Sequence, residues 1–220
     1  MDANRGRGRS VPAAGVLCAV LFLGGGLLIG DLAGSFADSD PQFVDVHESA
    51  GNRARFIVGG YALSASAIAF IWFAVGLSQR LGTRTNQAIV STARISAAVF
   101  AAVLLVSAAS FMTVAASITF GELFDDRGQF ATGKSTLPQL GYVLFNLAGT
   151  LAGASTIVAF SMLIKGARRS DKLIRRGGYV AAALLPLSGV MSLFLVLLPI
   201  WIIATSLTLG RRPPTASVRK

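Results

Sequence analysis

Gly128-Gln129-Phe130-Ala131-Thr132-Gly133-Lys134-Ser135 satisfies the phosphate-loop pattern GxxxxGK[ST]. That pattern binds nucleotide where it joins a buried strand to a helix whose first amides cradle the phosphates. Here it follows a long apolar run, Pro138 stands three residues after Ser135, and no length of chain is left for a parallel sheet. The match is read as chance, and neither a nucleotide nor any other cofactor is expected. Asp45, His47 and Glu48, with Asp38 and Asp40 nearby, gather carboxylates around the one histidine of the chain. Their spacing fits no zinc template. A weak carboxylate calcium site ranks behind a solvated acidic loop, so no metal is expected.

Asn146 is the only amide well inside an apolar run. On a regular helix Tyr142 and Thr150, four residues to either side, share its face. That face is read first as a hydrogen-bonding contact to a neighbouring helix, and second as the wall of a small cavity. Catalytic signatures such as HExxH, GxSxG and CxxC are missing, and no lysine or carboxylate pair lies deep in an apolar run. No catalytic residue is assigned, and a lipid-active enzyme ranks last among the functions considered. Cys18, the only cysteine, sits in the first apolar run and reads as an inert small apolar side chain.

The elements that must position these residues follow from composition. Of 220 residues, 53% are hydrophobic and 14% charged, against about 25% charged in ordinary soluble domains. Five runs carry no charge: Val11–Gly30, Phe56–Gln79, Ile95–Gly121, Ser135–Ile164 and Gly177–Gly210. Each exceeds the ~18 apolar residues that mark a spanning helix. The expected fold is all-α, a polytopic transmembrane helix bundle in one membrane domain over 1–220. The first run is longer than the 7–15 residues of a typical signal-peptide core and is read as a retained span.

Charge placement orients the chain. Sixteen of the twenty Lys and Arg residues fall in the N-terminal segment, around 80–94, in 165–176 and in the tail. Eight of the ten acidic residues fall in the two intervening connections, 31–48 and 122–126. Because short cytoplasmic segments accumulate Lys and Arg, both termini are expected in the cytoplasm of a plasma-membrane protein. The net charge of +10 then reflects membrane orientation, and no nucleic-acid partner is expected. To keep the basic tail inside, the last run must cross twice, with a turn at Ser188-Gly189. That gives spans near 11–31, 56–78, 95–119, 139–164, 173–188 and 190–209, six in preference to five. Lys165, Arg168, Arg169, Lys172, Arg175 and Arg176 are expected to meet lipid headgroups of the bilayer.

Gly149 and Gly153 form a GxxxG in the fourth run, with Phe145 interrupting a longer row back to Gly141. Glycines four apart let helix backbones approach closely, within the bundle first and in a homodimer second. Gly24-Gly25-Gly26 with Gly30, and Gly59-Gly60 with Ser64, suggest similar faces on the first two helices. Trp72 and Trp201, near helix ends, are read as interfacial anchors.

Several short patches carry a resemblance. They are Asn52-Arg53-Ala54-Arg55 with Trp72-Phe73 and Leu77, then Gly141-Tyr142 with Leu144-Phe145 and Ala148-Gly149, and finally Trp201 with Ser206-Leu207, Leu209 and Arg211-Arg212. Through them the chain resembles six-pass integral membrane proteins of high-GC bacteria, a family defined by a domain of unknown function. It departs from that pattern at Lys172-Leu173-Ile174-Arg175-Arg176, where a Pro-Arg-Trp-like start of the fifth helix is expected. The resemblance implies six helices and supplies neither an activity nor site residues. Three functions remain: a non-catalytic module that binds a membrane protein partner, regulates or senses; a small transporter or exporter component built as three helices plus three; and the lipid-active enzyme.

Overall fold

The computed structural model describes residues 3–33, 46–47, 49–81, 87–123, 136–164, 168–189 and 195–210. The described residues are helical almost throughout and include no strand. Three long helices come first: α1 (Ala3–Ala33), α2 (Ala50–Leu81) and α3 (Gln87–Leu123). A fourth rod follows, made of α4 (Thr136–Val143), a π-helical segment (Leu144–Gly149) and α5 (Thr150–Leu163). The chain ends in a short pair, α6 (Arg169–Leu184), continued by a 3-10 turn (Leu185–Gly189), and α7 (Leu197–Gly210).

Four segments are long and apolar enough to cross a membrane: Val11–Gly30, Ala50–Leu81, Gln87–Thr119 and Gln139–Leu163. This bundle fits a membrane location. Of the six spans expected from sequence, the first four correspond to long apolar helices, and the last two correspond to a short pair. The 14 residues of α7 extend only about 21 Å, against roughly 30 Å of hydrocarbon. In α6 the basic residues occupy the first half, so its apolar length begins only at Gly177. The second helix starts earlier than expected, at Ala50, and so does the third, at Gln87, because nothing between Gln87 and Ile95 breaks a helix. Arg94 therefore lies on α3, and its Nε donates to Ser78 Oγ on α2 at 2.9 Å.

Packing follows chain order around a ring. α1 packs on α2, α2 on α3, α3 on the fourth rod, α5 on α6, α6 on α7, and α7 closes on α1. We call the end where α1 finishes and α2 begins the acidic end, after its Asp- and Glu-rich connections, and the opposite end the basic end.

Glycine sets the close approaches. A Cβ on Gly25 would stand 2.8 Å from the Gly59 carbonyl, and one on Gly59 would stand 2.8 Å from Ile29. At those points the α1 and α2 backbones meet. Gly60 faces Met112 of α3, whereas Gly24, Gly26 and Gly30 have nothing within 4 Å of an added Cβ. Only Gly25 of the first-helix glycines therefore serves the expected packing face. In α1, Gly15 meets Ser206 of α7 and Phe73 of α2, which fixes the ring closure.

Hydroxyl side chains mostly bond to their own helix. Ser107, Ser110, Thr113, Thr156, Ser206 and Thr208 each donate to the carbonyl four residues back. In an apolar surrounding this removes the cost of an unpaired donor.

Candidate functional site

The π-helical segment is the local feature that shapes the site. Its widened turn, with i to i+5 spacing, accommodates one residue more than the regular helix on which the Tyr142–Asn146–Thr150 face was drawn. Asn146 Nδ2 donates to the Tyr142 carbonyl at 3.1 Å, and Thr150 Oγ1 donates to the Asn146 carbonyl at 2.6 Å and the Leu147 carbonyl at 3.0 Å. These bonds supply partners where helical pairing is interrupted. Gly149 fits the widened turn because a Cβ there would come within 3.3 Å of the Leu144 carbonyl, five residues back.

The three polar residues consequently part company. Tyr142 is exposed, Asn146 is only 6% exposed, and Thr150 is buried. Tyr142 and Asn146 line a partly open cavity of about 770 Å³ at the acidic end of the ring. Its walls are Phe22 to Gly30 of α1, Leu63 of α2, Phe111 of α3, Phe145 of the π segment, and Leu195 and Val196 before α7. Arg55, at the start of α2, is the one charged side chain among the described lining residues.

Leu185, Leu195 and Leu198 all lie against Phe22, Phe100, Val103 and Phe145, at the middle of the bundle. The α1, α2 and α3 helices continue past that level, and among the described residues the space between them and the fourth rod is the cavity. Phe145 forms the floor, stacking on Phe22 (centroids 5.7 Å apart) and meeting Phe111 edge to face at 6.2 Å. Thr150 lies beyond that floor, on a residual space of about 10 Å³, barely the size needed for one water. The path toward the basic end is closed there.

Asn146 Oδ1 is buried and accepts no hydrogen bond. Ser161 Oγ, Ser188 Oγ, Trp201 Nε1 and Thr205 Oγ1 share that condition of burial without a partner. Ser161 and Trp201 converge on Gly178 of α6, where Trp201 Nε1 would stand 2.8 Å from an added Cβ. Trp201 is thus 4% exposed and packed inside the ring, not the interfacial anchor read from sequence. Trp72, 70% exposed, remains on the outer surface. The indole of Trp201 goes inward because Gly178 leaves room for it on the facing helix.

The remaining sequence candidates lie elsewhere. Gly149 faces Val103, and Gly153 faces Leu185 and Phe100, so the GxxxG packs against helices of the same chain. Arg168, Arg169, Lys172 and Arg176 are exposed and Arg175 half-buried along α6, while Lys165 lies outside the described residues. Among these cations Asp171 is 2% exposed, a burial that the acidic residue's polar neighbours in sequence did not suggest. His47 is buried and stacks on Phe56 with centroids 4.7 Å apart, while Asn52 Nδ2 and Arg53 donate to the carbonyls of Val46 and His47 at 3.0 Å. The histidine read as part of a solvated loop is instead tied to the start of α2. Asp38, Asp40, Asp45, Glu48 and the whole Gly128–Ser135 match lie outside the described residues. Arg55 and the π segment were missed by sequence reading. The crowding of Asn146, Gly149 and Thr150 into five residues was the only available signal for the latter.

No family model matches the chain, and neither a curated protein nor a solved structure is similar to it.

Proposed function

We propose that the chain is a non-catalytic membrane module that takes an apolar molecule from the bilayer into the cavity at its acidic end, as a sensing or regulatory component. One observation carries this reading: a cavity of about 770 Å³ whose described lining is mostly apolar side chains, with Arg55, Tyr142 and Asn146 as its polar members. Small-molecule sites typically measure roughly 300–1,000 Å³ and combine apolar walls with a few polar groups. The described lining residues include no carboxylate, histidine, cysteine or lysine. That composition favours holding a ligand over acid–base or nucleophilic chemistry.

The proposed setting is the plasma membrane, with six membrane segments, both termini cytoplasmic and the cavity facing the outer leaflet. The charge distribution supports this orientation; Gly178 of α6 meets Trp201 of α7 while Leu185 shares a space with Leu195 and Leu198, an antiparallel sense that supports an even number of segments. The short pair enters where neighbouring helices thin the bilayer locally. A transporter would have to open the Phe22–Phe145–Phe111 floor, and substrate movement in proteoliposomes would mark that alternative.

Gly26→Phe tests the reading. Gly26 lines the cavity and no described residue lies within 4 Å of an added Cβ, so a bulky side chain can start there and reduce the space. Purified in mild detergent, the wild-type protein is expected to retain an apolar adduct in its native mass spectrum. The variant should lose the adduct and unfold at an unchanged temperature. Equal retention by both proteins, or no adduct in either, overturns the reading; a reproducible protein adduct instead would favour a partner-binding module.

A further inference from the structure

The place of Arg55 on the wall narrows what the cavity takes, granted the proposed occupancy. Gly59 of α2 lies against Gly25 and Ile29 of α1. Arg55, about one turn nearer the acidic end, therefore stands close to the level of Gly30, the last cavity-lining residue of α1. From Phe22, which stacks on the Phe145 floor, to Gly30 the helix rises about 12 Å. Between those levels α1, α2 and α3 contribute only apolar side chains and glycine to the described wall. On the fourth rod, the Asn146 amide is turned to its own helix through the Tyr142 carbonyl. The cavity thus has a cationic end and an apolar end, roughly 12 Å apart.

Charge decides the head of the ligand. The described lining holds one cation and no carboxylate. A guanidinium is always charged and presents five N–H donors in a planar fork. One bidentate partner engages two of them, so a second carboxylate or phosphate has donors to meet. Arg55 is half-buried, where water weakens an ion pair less than at a fully exposed site. We infer that the ligand is a single-chain amphiphile with an anionic head, a carboxylate or a phosphate monoester, held at Arg55 with its chain running toward the Phe145 floor. A neutral head forgoes the charge-assisted bonds, and an ammonium head is repelled. A volume of about 770 Å³ suits one drug-sized molecule, with one hydrocarbon chain rather than the pair of a phospholipid.

The test uses the delipidated full chain in a steroid-based detergent, which brings no alkyl chain of its own, and native mass spectrometry. The competing probes share one tail: dodecanoate, dodecyl phosphate, methyl dodecanoate and dodecyltrimethylammonium. At least one anion should bind roughly tenfold more tightly than the methyl ester and the ammonium, and the tighter anion identifies the head. Arg55→Gln should erase that preference while still binding the methyl ester, and Arg55→Lys should restore part of it. Should Arg55→Gln fail to fold, a dodecanoate with a diazirine near its methyl end decides on the wild-type protein. It should label residues around Phe22 and Phe145, and labelling of α2 beside Arg55 instead overturns the inference. Equal binding of all four probes, a preference for the ammonium, or a preference for the anions that survives Arg55→Gln also overturns it and leaves the cavity reading standing. Binding of no probe, or undiminished binding to Gly26→Phe, overturns the cavity reading itself.

Discussion

Two neighbouring glycines of α1 illustrate how differently one residue type is used. Gly25 lies where the α1 and α2 backbones meet, and an alanine methyl there would stand 2.8 Å from the Gly59 carbonyl and 2.9 Å from Leu63. Gly24 has open space beside it. Gly25→Ala should destabilise the protein by about 1–3 kcal/mol through overpacking. Gly24→Ala should leave stability unchanged or raise it by up to ~1 kcal/mol, the gain in helix propensity. Thermal unfolding of both variants in one detergent checks the contrast, and equal shifts would refute it. Asn146→Leu removes the hydrogen bond to the Tyr142 carbonyl in the π segment together with an unpaired acceptor, two opposing effects of about 1 kcal/mol each, so thermal unfolding should shift little. At this scale the sequence was a partial guide. It singled out Asn146, because an amide is rare in an apolar run. It misplaced Trp201, because proximity to a helix end says nothing of the glycine on the facing helix that makes room for an indole. It also gave no sign that Asp171 would be buried.

The four long helices were legible as elements from uncharged runs of sufficient length, a signal set by bilayer thickness rather than by local propensity. Two things were not. The early start of α3 was hidden because Arg94 ends the apolar run without ending the helix. The π segment was hidden because a face drawn at four-residue spacing presumes a regular helix. The second omission mattered more, since it separates Thr150 from the cavity that Tyr142 and Asn146 line. The amphipathic first half of α6 carries its own prediction. Arg169, Lys172 and Arg176 are exposed, and each basic residue near an anionic surface contributes ~1 kcal/mol. Replacing all three by glutamine should weaken retention of phosphatidylglycerol on the order of 100-fold in native mass spectra. Unchanged retention would mean that these charges serve orientation alone.

For the whole molecule, the decisive contact is the one between the first helix and the last. Reporters fused after Gly210 and within the connection between α1 and α2 should report opposite sides of the membrane; the same side for both would overturn the proposed orientation. Gly15→Ala would bring a methyl group against Ser206 and Phe73 at the closure point. It should therefore cost about 1–3 kcal/mol and expose α7 to proteolysis before the other helices. Ring closure also has a bearing on how the protein is made. The ribosome delivers α1 first and α7 last, so the α1 face around Gly15 must wait among lipids while every other helix is synthesised. A chain in which α7 is not yet docked would present the α1 face around Gly15 as an open seam to membrane proteases, so the α1–α7 contact acts as a latch on the ring.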